Sequence, residues 1–152
     1  RCSRDWSSDV CSSDLNFACN VFKTGLMNGS FNFTSGTFYI ALYTNSATLD
    51  ATTTAYTTTG EATGGNYSAG GQVLTISQVP TIGNQTGIAT SYISFDNASW
   101  TGSITARGAL IYKAGDNGAI CVLDFGNDKT STTTFTVQFP AVTNTSAIIR
   151  IS

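Results

Sequence analysis

The sequence contains no histidine, and only 11% of its 152 residues are charged. Histidine is the usual base in Ser-His and Cys-His nucleophile arrangements and a common metal ligand, so its absence excludes such sites. The few lysines and arginines cannot form the clustered positive surface that neutralises nucleic-acid phosphates. No apolar run approaches the roughly eighteen residues of a membrane-spanning helix. We therefore expect neither a nucleic-acid partner nor a membrane partner.

Carboxylates are also scarce, which bears on hydrolytic chemistry. Glu61 is the only glutamate, and Asp96, Asp124 and Asp128 lie in predicted turns or strand pairs. Glycoside hydrolysis needs two carboxylates that face each other across a sugar site. A hydrolase would therefore require Glu61 to approach Asp96 or Asp128 across a cleft. We assign no catalytic, cofactor-binding or metal-binding residue, and we expect a protein that is not an enzyme and needs no cofactor.

The first fifteen residues have a different character from the rest of the chain. Arg4–Leu15 reads RDWSSDVCSSDL, which resembles a translated sequencing-library adapter and indicates a metagenomic assembly. We interpret residues 1–15 as non-native and expect them to be disordered. Residues 16–152 are then predicted to form one domain, which is long enough for a substantial core. Within it, Cys19 and Cys121 have apolar neighbours and are predicted to be free, buried thiols.

The stretch Ile104–Phe125 is predicted to be the central hairpin of the domain. Two apolar strands, Ala106–Tyr112 and Ala119–Phe125, flank a Gly-Asp-Asn-Gly turn whose residues tolerate positive φ angles. A symmetric hairpin places Arg107 directly opposite Asp124, so we predict a structural ion pair between these residues. Both faces of the strands are apolar in the middle, which indicates that other elements cover each face.

Other segments favour short strands and one helix. Apolar residues of Phe17–Asn28 recur at helical spacing, whereas Asn45–Gly71 is polar and predicted to be a long, exposed loop. Pro80 is expected to end a strand. The remaining predicted strands are Thr37–Thr44, Val73–Val79, Ile88–Phe95, Phe135–Phe139 and Ala147–Ile151. This order predicts an all-β fold: an antiparallel β-sandwich, or a partly open barrel, of about seven strands with one short N-terminal helix.

Several short motifs occur in order along the chain. They include YIALYT from Tyr39, NYSAGG from Asn66, ITARGALIY from Ile104, VLDFG from Val122 and AIIRI from Ala147. Together they resemble a family of small virion structural proteins of tailed bacteriophages, and the resemblance covers nearly all of residues 16–152. It implies a non-enzymatic protein located in the virion as a decoration, head–tail or tail-associated subunit. The implied partners are other virion proteins and further copies of this chain.

Aromatic residues provide the candidate interface. Tyr56 and Tyr67 lie in the predicted loop, and Trp100 follows a predicted turn, so all three are candidates for an interaction surface. In the phage interpretation, the loop is a main contact surface and the two tyrosines are its anchors. An alternative is a secreted carbohydrate-binding β-sandwich that uses these residues and Tyr112 as exposed sugar-stacking groups.

Overall fold

The computed structural model describes residues 17–85 and 87–151, so the predicted disorder of residues 1–15 lies outside the described residues. Within the described ranges the chain forms ten strands and one helix. In chain order these are β1 (Phe17–Ala18), α1 (Asn20–Met27), β2 (Phe38–Tyr43), β3 (Gln72–Leu74), β4 (Ile76–Gln85), β5 (Ile88–Phe95), β6 (Ala98–Thr101), β7 (Ile104–Lys113), β8 (Ala119–Ser131), β9 (Thr134–Val137) and β10 (Ile149–Ile151).

The described strands form three open antiparallel sheets. The largest has the order β1-β8-β7-β2-β3, the second β10-β5-β4, and the third contains β6 and β9. All strand pairs are antiparallel, and the protein has an all-β, sandwich-like fold with one short helix. The predicted fold class is therefore confirmed, although the described residues form ten strands rather than about seven. These strands form no closed barrel.

The central hairpin of β7 and β8 is present, but its predicted register is wrong by one residue over most of its length. Tyr112 lies opposite Ala119 as predicted, whereas Ile111 lies opposite Cys121. Ile120 is therefore an extra residue on β8, and its carbonyl accepts a hydrogen bond from the backbone N–H of Cys19 at 2.9 Å. The backbone of Cys19 thus supplies a hydrogen-bond partner for the Ile120 carbonyl, which the β7–β8 pairing leaves unpaired.

A second bulge separates the two halves of the same hairpin. Gly108, rather than Arg107, lies opposite Asp124, and Ala106 lies opposite Lys129. Four residues of β8 therefore face a single residue of β7. Gly126 lies within this bulge at φ 79°, and its N–H donates to Asp124 Oδ1 at 2.8 Å. Despite the changed register, Arg107 Nη2 lies 3.3 Å from Asp124, so the predicted ion pair forms diagonally.

Two further predictions require correction. The helix is shorter than Phe17–Asn28, because residues 17 and 18 pair with β8 as β1 and the helix begins at Asn20. Pro80 does not end a strand, because β4 continues through it to Gln85. Pro80 lies where the pairing with β5 is irregular, between Gln78 and Thr81, and β4 is an edge strand. Edges and bulges are the positions in a sheet where the missing N–H of proline is tolerated.

A cluster of phenylalanine rings joins the helix to the two larger sheets. Phe33 stacks on Phe38 with ring centroids 4.7 Å apart, and Phe22 of α1 contacts Phe33 edge-on at 5.9 Å. Phe95 of β5 completes the cluster from the second sheet. A Cβ at Gly25 would come within 2.3 Å of the Phe31 ring. Glycine is unfavourable within a helix, but at this position the missing side chain leaves room for the Phe31 ring, which packs edge-on against Phe22.

The Arg107–Asp124 pair is only partly buried, which sets its expected contribution to stability. The two side chains are 33% and 22% exposed. We predict that Arg107→Met, which keeps the aliphatic stem, lowers the free energy of unfolding by less than about 1 kcal/mol, because water screens such pairs. Urea denaturation measures this change. A loss of about 3 kcal/mol, typical of a broken buried pair, would contradict the prediction.

Candidate functional site

The segment between β2 and β3 is a long loop, as predicted for Asn45–Gly71, and nearly all of its residues are exposed or partly exposed. The sequence did not predict that this loop is attached to the fold at several points. Asn20 N–H donates to Ala51 O at 2.8 Å, which joins the segment to the start of α1. Tyr56 N–H donates to Asn117 O at 2.9 Å, which joins it to the β7–β8 turn. Ala62 is buried. We call residues 45–71 the covering segment.

The covering segment also completes the edge of β2. Strand β3 pairs with β2 only from Phe38 to Ile40, which leaves the backbone beyond Ile40 without a strand neighbour on that side. Ala62 N–H donates to Leu42 O at 2.8 Å, and the Tyr67 hydroxyl accepts from Leu42 N–H at 2.9 Å. A tyrosine side chain therefore takes a position that a neighbouring strand would otherwise fill, and this satisfies the backbone of β2.

The Glu61 carboxylate is the centre of the candidate site. Tyr56 donates its hydroxyl hydrogen to Oε2 at 2.7 Å, and Tyr67 donates to Oε1 at 2.6 Å. The backbone N–H of Gly70 donates to Oε1 at 2.7 Å. Hydrogen bonds to an ionised carboxylate are short and about twice as strong as those between neutral groups. One carboxylate therefore joins three positions of the covering segment that are five to nine residues away in sequence.

Stacked rings connect this cluster to the central sheet. Tyr56 stacks on Tyr112 of β7 with centroids 4.8 Å apart, and Tyr112 stacks in turn on Tyr39 of β2 at 5.6 Å. The Tyr112 hydroxyl donates to Gly70 O at 2.8 Å. The stack thus packs one edge of the covering segment against β2 and β7, while the Tyr56 hydroxyl donates to Glu61 and the Tyr112 hydroxyl donates to Gly70.

The environment of the cluster keeps its hydroxyls protonated. Burial, followed by the charge of the nearby Glu61, raises the pKa of Tyr112 to about 12. Burial, followed by the hydrogen bond to Glu61, also raises the pKa values of Tyr56 and Tyr67 well above their usual range. A phenolate here would lose hydration and face the Glu61 carboxylate. The hydroxyls therefore act as hydrogen-bond donors rather than as acids that ionise at neutral pH.

The structure places the predicted interface aromatics differently from the expectation. Trp100 is only 3% exposed and packs near Tyr67 with ring centroids 5.7 Å apart, so its prediction as a surface residue is wrong. Tyr112 is 5% exposed, and its prediction as an exposed sugar-stacking group is also wrong. Tyr56 and Tyr67 are partly buried, with their hydroxyls directed to Glu61. These residues form a connected internal cluster rather than an open aromatic platform.

The other carboxylates have separate surroundings. Asp128 is exposed and accepts a hydrogen bond from Asn45 Nδ2 at 3.1 Å, and Asp96 is exposed in the turn after β5. Neither is among the hydrogen-bond partners of Glu61. Cys19 and Cys121 are free and buried, as predicted, and burial raises the pKa of Cys19 to about 11. These thiols therefore remain protonated at neutral pH.

The described residues contain neither a cluster of metal-ligating side chains nor a membrane-spanning helix. Among residues 17–85 and 87–151, no group of three or more histidine, cysteine, aspartate or glutamate side chains is placed to hold a metal ion. In the same ranges, no helix is long and apolar enough to span a membrane. The chain was also compared with protein-family models, curated proteins and solved structures, and none of the three comparisons found a match.

Sequence reasoning missed the role of Glu61. The signal available was a single glutamate in a segment otherwise free of acidic side chains from residue 51 to residue 95, with a tyrosine on each side of it. An isolated acidic residue among tyrosines is consistent with a specific hydrogen-bonding role. The spacing alone, however, does not show that the segment folds back onto β2.

We predict that Glu61→Gln lowers the free energy of unfolding by about 1–3 kcal/mol. Glutamine has one acceptor oxygen for the three donors and places an NH₂ group where a carboxylate oxygen accepted. Urea denaturation at neutral pH measures the change. Asp96→Asn is the matched control, because it removes the same charge from an exposed carboxylate and should alter stability by less than about 0.5 kcal/mol. Equal effects of the two substitutions would contradict a central role for Glu61.

Proposed function

We propose that this protein is a non-enzymatic structural subunit of a tailed-bacteriophage particle, present in many copies and acting through protein–protein contacts. The resemblance of its motifs to small virion structural proteins motivates the proposal. The observation that carries the proposal is that the Glu61 carboxylate binds groups of its own chain. Its oxygens accept hydrogen bonds from Tyr56, Tyr67 and Gly70. An arrangement of this kind stiffens a surface segment, which suits a subunit that must keep one shape in every copy.

The composition of the surface supports the same proposal. Exposed positions on β6, β9 and the central β7–β8 hairpin carry hydroxyl side chains that form hydrogen bonds across strands. Ser99 bonds to Thr136, and Thr105 bonds to Thr130, each at 2.9 Å. Hydroxyl groups can enter an interface without the desolvation cost of a buried charge. Depletion of charge is also a feature of the buried centres of protein interfaces. Such a surface suits repeated contact with identical or similar neighbours.

The covering segment remains the proposed contact surface, with a changed role for its tyrosines. Tyr56 and Tyr67 support the segment from within, and the contacting groups are its exposed residues, among them Thr58, Thr59 and Asn66. The carbohydrate-binding alternative loses its main residues, because Trp100 and Tyr112 are buried.

The proposal predicts that the protein is found in purified phage particles. In a phage that encodes a close relative of this chain, the gene for that relative is deleted, and the host supplies this chain in its place. Quantitative mass spectrometry of purified particles should find the chain in many copies per particle. Intact, infectious particles that lack both the relative and this chain would contradict the proposed function.

A pair of matched variants tests the contact surface separately. Thr58→Arg combined with Thr59→Arg adds two charges to exposed positions of the covering segment, and this variant should be depleted from particles because buried unpaired charges weaken an interface. Thr34→Arg combined with Ser35→Arg adds the same charges to the exposed connection between α1 and β2 and should be incorporated normally. Normal incorporation of both variants would overturn the choice of surface but leave the proposed function standing.

A further inference from the structure

The sheet formed by β10, β5 and β4 has an unprotected edge. Strand β4 is at one end of this sheet, and no other strand of the described residues pairs with its outer side. Natural sheets usually protect such edges with charged side chains, prolines or bulges. Here the whole stretch from Ile76 to Phe95 contains no charged residue. Pro80 and the adjacent bulge interrupt only the first half of β4, and Thr81–Gln85 pairs regularly with β5.

One face of this sheet exposes two isoleucine side chains, one of them on the same edge strand. Ile82 of β4 lies opposite Ser91 of β5, which lies opposite Ile151 of β10, so the three side chains form a row on one face. Ile82 is 69% exposed and Ile151 is 51% exposed. Beside this row is a groove of about 330 Å³, whose lining includes Ile151, Pro80 and Ile149 and contains no charged residue.

The opposite face of the same strand is covered at Gly83. Asn144, in the segment before β10, packs so closely against Gly83 that a Cβ on that glycine would lie 2.7 Å from the Asn144 Cβ. Gly83 and Ile82 are adjacent in β4, so their side-chain positions point to opposite faces. A partner that pairs with the β4 edge therefore meets a covered position on one face and the exposed Ile82 side chain on the other.

We propose that β4 pairs with β4 of a second copy of this chain, in an antiparallel arrangement about a two-fold axis. In a two-fold interface each residue near the axis meets its own copy, so any charge there would face a like charge. The stretch Ile76–Phe95 contains no charged residue, so β4 of one copy can meet β4 of a second copy without bringing like charges together. Pairing centred near Ile82 joins two three-stranded sheets into one of six strands.

The geometry of that pairing joins the two rows end to end, with the Ile82 side chains of the two copies at the centre. A two-fold axis perpendicular to the sheet keeps the same face of both copies on the same side. Ile82 of one copy then contacts Ile82 or Asn84 of the other, and its exposed apolar surface is removed from water. Unpaired backbone N–H and C=O groups along the edge gain hydrogen-bond partners at the same time.

Strand β3 provides a matched comparison within the same molecule. It is the edge strand of the largest sheet and carries Val73, which is 54% exposed. It has only three residues, too few for extensive pairing with another strand. A substitution at Val73 therefore reproduces the loss of an exposed apolar side chain on an edge strand, without affecting the proposed interface.

Analytical ultracentrifugation over a range of concentrations tests the proposal on the full chain. The native chain should show a concentration-dependent dimer, and Ile82→Lys should weaken dimerisation at least tenfold by placing two charges at the axis. Ile82→Thr, which keeps a β-branched side chain, should weaken it in the same direction. Val73→Lys should leave it unchanged. A native chain that stays monomeric, or a dimer equally affected at Val73 and Ile82, would overturn the proposal.

Disulfide trapping tests the position of the axis. In a chain with Cys2→Ser and Cys11→Ser, Ile82→Cys should form a disulfide-linked dimer on oxidation, whereas Val73→Cys should not. Equal cross-linking at the two positions would contradict pairing through β4. The proposal adds a partner surface to the proposed function but can fail independently of it. A monomeric chain that still enters phage particles in many copies would refute the β4 interface and leave the virion role intact.

Discussion

The structure depends on the burial of both faces of its central strands. From Ala109 to Tyr112, four consecutive residues of β7 are at most 5% exposed, so each face of the sheet must be covered by another element. On one face, Ile111 belongs to the core that includes the phenylalanine cluster and α1. On the other, Tyr112 meets the covering segment. Because a polar segment forms this second layer, its backbone and its single carboxylate need specific partners.

Glu61 and the surrounding tyrosines meet that requirement. The carboxylate is shared among two hydroxyls and one backbone N–H, while Tyr67 also satisfies the backbone of β2. The tyrosine rings contribute apolar area and their hydroxyls contribute hydrogen bonds, so the same residues can cover a sheet and satisfy a charge. Aromatic residues that would suggest ligand recognition in the sequence are thus used to attach a long segment. The surface that partners can contact is therefore formed by exposed residues, and not by Glu61 and the tyrosines around it.

The sequence predicted those features that local chemistry determines. Gly115 and Asn117 adopt the positive φ angles expected of the hairpin turn, and β5 spans the predicted residues Ile88–Phe95. The hairpin register was wrong because the extra residue Ile120 is stabilised by Cys19, a partner far away in sequence. The prediction that Trp100 is exposed was wrong for a similar reason. Its neighbours are β9 and Tyr67, which are distant from it in sequence. In both cases, contacts distant in sequence decide the outcome.

Amide hydrogen exchange of the covering segment tests most directly whether it is an integral layer of the fold. If the segment is attached as described, the N–H groups of Ala62, Gly70 and Tyr56 should exchange as slowly as those of β7, through global unfolding. Exposed positions of the same segment without hydrogen-bond partners should exchange quickly. Fast exchange at all three protected amides, with slow exchange retained in β7, would show a loop that opens independently and would contradict the account.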